Sequence, residues 1–270
     1  MQYFVSIENT NYFYWQIELL IESFKMKGIE DKLLIGIAQN DQPKNPKYTK
    51  NLMAHPRKFI HRNVGAEANY LPQNKPFAVM AALENGLRFP FTLLHPDMIL
   101  VNEPEVPKAN LVFHPDFSLN PLIEDVRSYL AESIDIDPKS LPKNLLLGGV
   151  MIFNDMNENF FFRTYRWMQW LRSKFGPTRK WDIAKVAWML SAYEVVALKT
   201  CVGMPLECQL IQKHKPTHFI HYSRGLPPIF SKKYYAQKNL QIHGNPYELL
   251  RQHNPSEAMN FLHKVIDSRS

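Results

Sequence analysis

The sequence predicts an α/β fold built on a parallel sheet flanked by helices. Short apolar runs alternate with stretches of helical periodicity from the N-terminus to about residue 115, the order in which strand–helix–strand units build such a sheet. The chain has 270 residues, 45% of them hydrophobic, enough to bury a sizeable core without staples. Its 20 prolines against 10 glycines predict many punctuated loops and few glycine-dependent phosphate cradles.

Residues 3–7 alternate aromatic and aliphatic side chains and read as a first strand. Residues 11–27 place Phe13, Ile17, Leu20, Ile21 and Phe24 at helical spacing, and Gly28 supplies a stop. Residues 32–38 read as a second strand, 39–51 as a polar, proline-bearing loop and 58–63 as a third strand. Residues 76–86 have Pro in the first turn and Gly at the end, a helix signature. Residues 91–94 form a short buried strand that runs into His95-Pro96-Asp97-Met98 and a further apolar run at 99–101. In the second half, 121–130 reads as a helix and 145–153 as a strand containing Gly148 and Gly149. An aromatic-rich helix over 158–174, another over 181–198, a late strand over 219–222 and a helical tail over 246–268 complete the reading.

The balance of 32 Lys plus Arg against 25 Asp plus Glu gives +7, which suits a polyanion or a phosphate-bearing ligand, or simply a cationic surface. Cys201 and Cys208 are too few for a disulfide scaffold or a Cys-rich zinc module. Neither G-x-G-x-x-G nor G-x-x-x-x-G-K-[ST] occurs, so the common dinucleotide and P-loop fingerprints are missing. No apolar run reaches the roughly 18 residues of a membrane span, and the opening residues do not read as a signal peptide. The expectation is a soluble, cytoplasmic protein with no membrane contact and no inferred protein partner.

Several segments carry chemistry-bearing residues. Asp97 follows a buried strand, where a carboxylate can present oxygen to Mg²⁺ or Mn²⁺, and His95 two positions earlier can join it. The same Pro96-Asp97 pair also reads as a turn. His221 ends the run Phe219-Ile220 and can ligate a metal or serve as a hydrogen-bonded structural residue. Arg224 and Gly225 follow it, a guanidinium fork and an unhindered backbone that suit phosphate. Trp181-Asp182 opens a helix, where Asp182 is favoured by capping alone or can meet an acceptor hydroxyl. Trp181, Trp167 and Trp170 can form sugar or base platforms, but a stripe such as Phe160, Phe161, Phe162, Tyr165 and Trp167 is more often core than binding surface. Asn74-Lys75-Pro76-Phe77 begins a helix whose N-terminus and lysine can hold phosphate, or whose lysine is merely solvated.

Together these segments resemble the glycosyltransferase family that contains the hydroxyproline O-arabinosyltransferases and the peptidyl serine α-galactosyltransferases. The family's early Trp-Gln pair matches Trp15-Gln16, and its Asn-Arg-Pro-Trp-type helix start matches Asn74-Lys75-Pro76-Phe77. Its Glu-Pro-Asp-His-type metal motif matches His95-Pro96-Asp97-Met98, with His in place of the leading Glu and Met in place of the final His. Its Ile-His-Tyr-Thr-Tyr-Gly-type motif matches Ile220-His221-Tyr222-Ser223-Arg224-Gly225, and a Trp-acidic helix start lies between, as at Trp181-Asp182. The match runs over residues 3–230.

The resemblance implies a GT-A-like nucleotide-diphospho-sugar transferase fold with a mixed, mostly parallel central sheet. It implies a domain over residues 1–240, with a donor half at 1–115 and an acceptor half at 116–240, followed by a helical extension at 241–270. It further implies a retaining glycosyltransferase that uses a UDP-sugar donor and Mn²⁺ or Mg²⁺. Asp97, His221 and His95 would hold the metal. Ser6, Glu8, Asn74, Lys75, Asp97, Arg224 and Gly225 would contact the donor. Gly148, Gly149 and Trp181 would face the acceptor, and Asp182 would serve as the catalytic carboxylate. The positive charge and spare aromatics favour a 5-hydroxymethylcytosine-type base in DNA as acceptor of an arabinose or hexose. A protein, peptide or glycan hydroxyl is the alternative. A reading from another class is a non-catalytic DNA- or carbohydrate-binding protein.

Overall fold

The computed structural model describes residues 1–39, 50–116, 122, 125–126, 145–156, 159–176, 180–192, 194, 201–209, 218–222, 246–251 and 256–269. Its first half runs β1 (Gln2–Glu8), α1 (Asn11–Lys25), β2 (Leu33–Gln39), α2 (Lys50–Ala54), β3 (Lys58–Arg62), α3 (Val64–Glu67), α4 (Asn74–Glu84), β4 (Phe91–Leu94), β5 (Met98–Leu100) and β6 (Leu111–Asp116). Its second half runs β7 (Leu145–Phe153), α5 (Asn159–Phe175), α6 (Lys180–Ser191), β8 (Cys201–Gly203), β9 (Glu207–Gln209), β10 (Phe219–His221), α7 (Pro246–Arg251) and α8 (Glu257–Asp267). The architecture is the expected one: mixed α/β, with a mostly parallel central sheet flanked by helices.

The chain forms two compact units, each assembled from separated segments. The first comprises Met1–Phe4, His61–Leu94 and Val106–Pro205. Within it β7 pairs antiparallel with both β4 and β6, and β6 pairs parallel with β8. The β6–β7 register shifts between Phe113 and Pro115, and Gly148 and Gly149 lie in the stretch of β7 opposite that shift. Glycine is what a strand uses where the ladder is interrupted. An aromatic cluster of Phe91, Phe153, Phe160, Phe161 and Trp188 packs against the sheet, with Phe153 and Phe161 centroids 5.1 Å apart. Phe160 and Phe161 are therefore core residues, while Phe162 faces outward.

The second unit comprises Val5–Ile60, His95–Glu105 and Leu206–Ser270. Helix α1 is buried along most of its length: Ile17, Leu20, Ile21 and Phe24, spaced as predicted, are fully enclosed. Gly28 ends it with a φ of +67°, a conformation other residues rarely adopt. Buried polar groups on α1 are used to hold neighbours. Glu18 accepts hydrogen bonds from the backbone N–H groups of Asn51 (3.1 Å) and Leu52 (2.9 Å). The Ser23 hydroxyl accepts from Leu100 N–H at 3.0 Å and donates to the Leu20 carbonyl at 2.7 Å, which fixes β5 against α1.

A three-stranded sheet in the order β5-β10-β9 completes this unit. β10 runs antiparallel to β5, with His221 opposite Met98, and parallel to β9, with Phe219 opposite Glu207. Strands β6, β8 and β9 were not legible as periodic segments; β8 and β9 have three residues each, too few for an alternation to register.

Three boundaries differ from expectation. Helix α6 begins at Lys180, one residue ahead of the expected start, and Asp182 lies within its first turn. The tail is two helices, and Ser256 caps the second through its hydroxyl, which accepts from Met259 N–H at 3.0 Å. Helix α4 starts at Asn74, ahead of Pro76. Of the helix expected over 121–130, only 122, 125 and 126 are described, and these are helical. Most of the expected 39–51 loop lies outside the described residues.

Candidate metal centre

The second unit brings together three of the residues singled out in the sequence. His95 and Asp97 lie in the turn between β4 and β5, and His221 ends β10. Because His221 pairs with Met98, Asp97 falls beside the following residue, and Tyr222 N–H donates to the Asp97 carbonyl at 3.1 Å. The ladder thus carries two segments separated by more than a hundred positions to one point. His221 Nε2 is 3.1 Å from Asp97 Oδ2, and His95 Nδ1 is 3.6 Å from Asp97 Oδ1. One ligand atom from each of the three side chains lies within 4.8 Å of the others.

A residue the sequence reading missed stands behind them. Glu207 Oε1 is 3.2 Å from His221 Nδ1, and its side chain is only 1% exposed. Parallel pairing explains the contact: Phe219 lies opposite Glu207, and residues two apart on a strand share a face, so His221 points to the same side. Both imidazole nitrogens of His221 therefore face carboxylates.

Burial alone would raise the Asp97 carboxyl. The charge and hydrogen bond of His221, followed by those of His95, outweigh it and hold Asp97 well below the usual carboxylate range. His221 is driven in the opposite sense. Burial would lower it, but the Asp97 charge and hydrogen bond, with help from Glu207, push it up to about 9. That shift favours an imidazolium between the two carboxylates when no metal is bound. A divalent cation can take over that neutralising role once His221 releases its proton. Two imidazoles and a carboxylate are a chemically sound donor set for such an ion.

Other predicted residues are distributed over both units. Ser6 and Glu8 lie at the end of β1 in the second unit, both half-buried. Tyr12, the second residue of α1 there, is pushed up to about 12 by burial and then by the Asp97 charge, so its phenol remains a donor. Asn74 lies in the first unit. Its Oδ1 accepts from Gly65 N–H and its Nδ2 donates to Asn63 Oδ1, both at 2.8 Å. Lys75 is half-buried in the first turn of α4, and Asp182 is half-buried in the first turn of α6. Gly148 and Gly149 sit in β7. Trp167 is largely buried and donates through Nε1 to Glu194 at 2.9 Å. The Trp181 side chain, Arg224 and Gly225 lie outside the described residues. Among the described residues, no helix is long and apolar enough to cross a membrane.

No protein-family model matches the chain, and no curated protein matches it in sequence. Solved structures do match it. The galactosyltransferase LgtC, in a complex with donor and acceptor sugar analogs, superposes with a TM-score of 0.52 at 10% identity, covering 99% of this chain and 96% of LgtC. An active-site mutant of LgtC gives 0.56 at 8% identity over 99% and 96% of the two chains. The bifunctional glycosyltransferase WbbM gives 0.52 at 13% identity over 90% of this chain, which spans only 50% of WbbM. At such identities the likeness is one of fold: the chain has the fold of these glycosyltransferases.

Proposed function

We propose that the chain is a metal-dependent glycosyltransferase that moves a sugar from a UDP-sugar to an acceptor hydroxyl with retention of configuration. The observation that supports this most is the convergence of His95, Asp97 and His221 within one unit of a chain with a glycosyltransferase fold. These three side chains would hold a divalent cation. Bound there, the cation supplies positive charge to offset the charge that develops on the departing diphosphate.

The chain's own residues do the remaining work. Glu207 accepts from His221 Nδ1–H and turns Nε2 toward Asp97. Ser6 and Glu8 offer a hydroxyl and a carboxylate to the donor from the end of β1, and Tyr12 offers a phenol hydrogen. Lys75, Arg224 and Gly225 are assigned to the donor's phosphates. Asn74, whose amide also bonds Gly65 and Asn63, is assigned to the donor with them. Gly148, Gly149 and Trp181 remain the acceptor-side residues. Asp182 is the carboxylate that would orient the attacking hydroxyl.

For the acceptor, the LgtC complex with an acceptor sugar analog favours a glycan hydroxyl, with protein and peptide hydroxyls in the same chemical class. A hydroxymethylated base in DNA is the second reading, and the +7 charge is the observation that favours it. The test is UDP release from a panel of UDP-sugars with Mn²⁺, repeated with oligosaccharides and with hydroxymethylcytosine duplexes at two salt concentrations. Acceptor-stimulated release that vanishes in Asp97→Asn supports the transferase. Salt-sensitive DNA binding that ignores both UDP and Mn²⁺, with no release from any UDP-sugar, would replace it with the binding-protein reading.

A further inference from the structure

We propose that helix α5 carries a second binding site, a cleft on its solvent side that takes an acidic saccharide: a sugar ring bearing a carboxylate or a phosphate. This site lies beyond the metal, donor and acceptor residues assigned above and does not depend on those assignments.

Along α5 the side chains sort by helical period. Phe160, Phe161, Thr164, Met168 and Leu171 are buried. Arg163, Arg166, Gln169 and Ser173, three or four positions apart, are exposed. A solvated helix face needs polar residues only, yet this one carries Trp170 half-buried among them and Trp167 at its border with 9% exposure. The two indoles stand edge to face, with centroids 5.3 Å apart and planes at 88°. Glu194, which follows α6, holds one of them: Trp167 Nε1–H donates to its Oε2 at 2.9 Å. These groups line a cleft of about 560 Å³ within the first unit, in the size range of small-ligand sites.

Each group in the cleft answers to a feature of an acidic sugar. An indole left half-open at a polar surface offers an apolar face, and the C–H bonds on one side of a sugar ring form an apolar face of similar size. The Gln169 amide can exchange hydrogen bonds with ring hydroxyls. The Ser173 hydroxyl donates to the Trp170 carbonyl at 2.7 Å and keeps its oxygen as an acceptor. Arg163 and Arg166 supply planar guanidinium forks, which match a carboxylate or a phosphate bidentately. Among the described residues neither guanidinium has an ion-pair or hydrogen-bond partner, although the Glu194 carboxylate lines the same cleft. The indole N–H engages that carboxylate, so the cleft sets two positive charges against one negative. A ligand with one anionic group on an otherwise neutral frame suits that balance. A nucleic acid, with a phosphate on every residue, would bring repeated charge up to Glu194, and this favours the saccharide.

The test is calorimetric titration of the whole chain with a uronate oligosaccharide, a phosphorylated oligosaccharide of the same length, their neutral counterpart and a single-stranded oligonucleotide. At least one acidic oligosaccharide should bind at one site with a Kd of about 1 mM or tighter, and at least ~10-fold more tightly than the neutral one. The tighter of the two identifies the acid as carboxylate or phosphate. Arg163→Gln combined with Arg166→Gln should bring acidic and neutral probes to within about threefold of each other. Trp170→Ala should weaken both at least ~10-fold, with partial recovery in Trp170→Phe. Both arginines are exposed, so their readout stands even if Trp170→Ala fails to fold. Asp97→Asn should leave all of these affinities unchanged, which keeps failure of this site distinct from failure of the metal centre. Neutral and acidic probes bound alike, or affinities unmoved by the paired arginine substitution, would overturn the proposal. So would an oligonucleotide that outcompetes the acidic saccharides, or no binding of either acidic probe.

Discussion

Two buried polar clusters, one in each unit, spend their hydrogen-bonding capacity in different ways. In the first unit, Asn63, Gly65 and Asn74 form a neutral knot. Asn63 Oδ1 accepts from Ala66 N–H and from Asn74, whose own oxygen accepts from Gly65 N–H. Neutral amides and backbone N–H groups join α3 to α4 there, and the Asn63 Nδ2 is buried without a hydrogen-bond partner among the described residues. In the second unit, His95, Asp97, His221 and Glu207 are ionisable groups each within 3.6 Å of a neighbour, with three ligand atoms converging within 4.8 Å. Packing alone gives no reason to gather two carboxylates around one imidazole, because desolvating them is costly. The neutral network serves the junction of two helices, and the buried ionisable network with converging ligand atoms is where the proposed chemistry would sit.

The largest effect that separates the two is expected from Asp97→Asn. Turnover should fall about 10²–10³-fold while the folded chain persists, as read by UDP release and by circular dichroism. Full activity in this variant would remove Asp97 from the mechanism.

Next in size is a pH effect confined to the charged cluster. His221 titrates at about 9, so a cation binding below that pH must displace its proton. Apparent metal affinity should therefore rise about tenfold per pH unit toward 9 and level off above it, read by titration at several pH values. For the metal-free fold the sign is opposite. A raised histidine stabilises the native state fully below its unfolded value near ~6.5 and loses that contribution as pH rises through about 9. The depressed Asp97 adds stability that is lost only in acid, as pH falls through its lowered value. The neutral knot contributes to neither curve.

A smaller effect tests the knot itself. A Cβ at Gly65 would stand 2.8 Å from the Leu71 Cα and 2.9 Å from the Asn74 amide, with backbone on one side. Gly65→Ala should cost about 1–3 kcal/mol in urea denaturation and leave metal affinity unchanged. Loss of metal binding in that variant would contradict the division drawn between the two clusters. The smallest effect is expected from Ser256→Ala, which removes the cap of α8 for about 1 kcal/mol. Because it lies in the same unit as the metal centre, unchanged Mn²⁺ binding would separate lost stability from lost chemistry.

The contrast also explains which parts were legible in the sequence. Asp97 and His221 stand at the ends of apolar runs, 91–94 and 219–220, so strand-end placement followed from hydrophobicity alone. That they meet depends on the β5–β10 register, which no local pattern encodes. Glu207 had no local signal: it opens a three-residue strand, and its role arises only through pairing with β10. Asn74 shows what a motif position does not announce: folding engages its amide with Asn63 and Gly65. The aromatic run Phe160-Phe161 read more readily as core than as platform, and its burial against Phe153 and Trp188 agrees.

The most direct test of the central claim is the thermal midpoint of the chain with UDP, with and without Mn²⁺, in the natural sequence and in Asp97→Asn. A ligand that binds only the folded state must raise the midpoint in proportion to its occupancy. The account predicts a shift that requires both UDP and Mn²⁺ and disappears in Asp97→Asn. No shift with any nucleoside diphosphate, or one that survives the substitution, would contradict it.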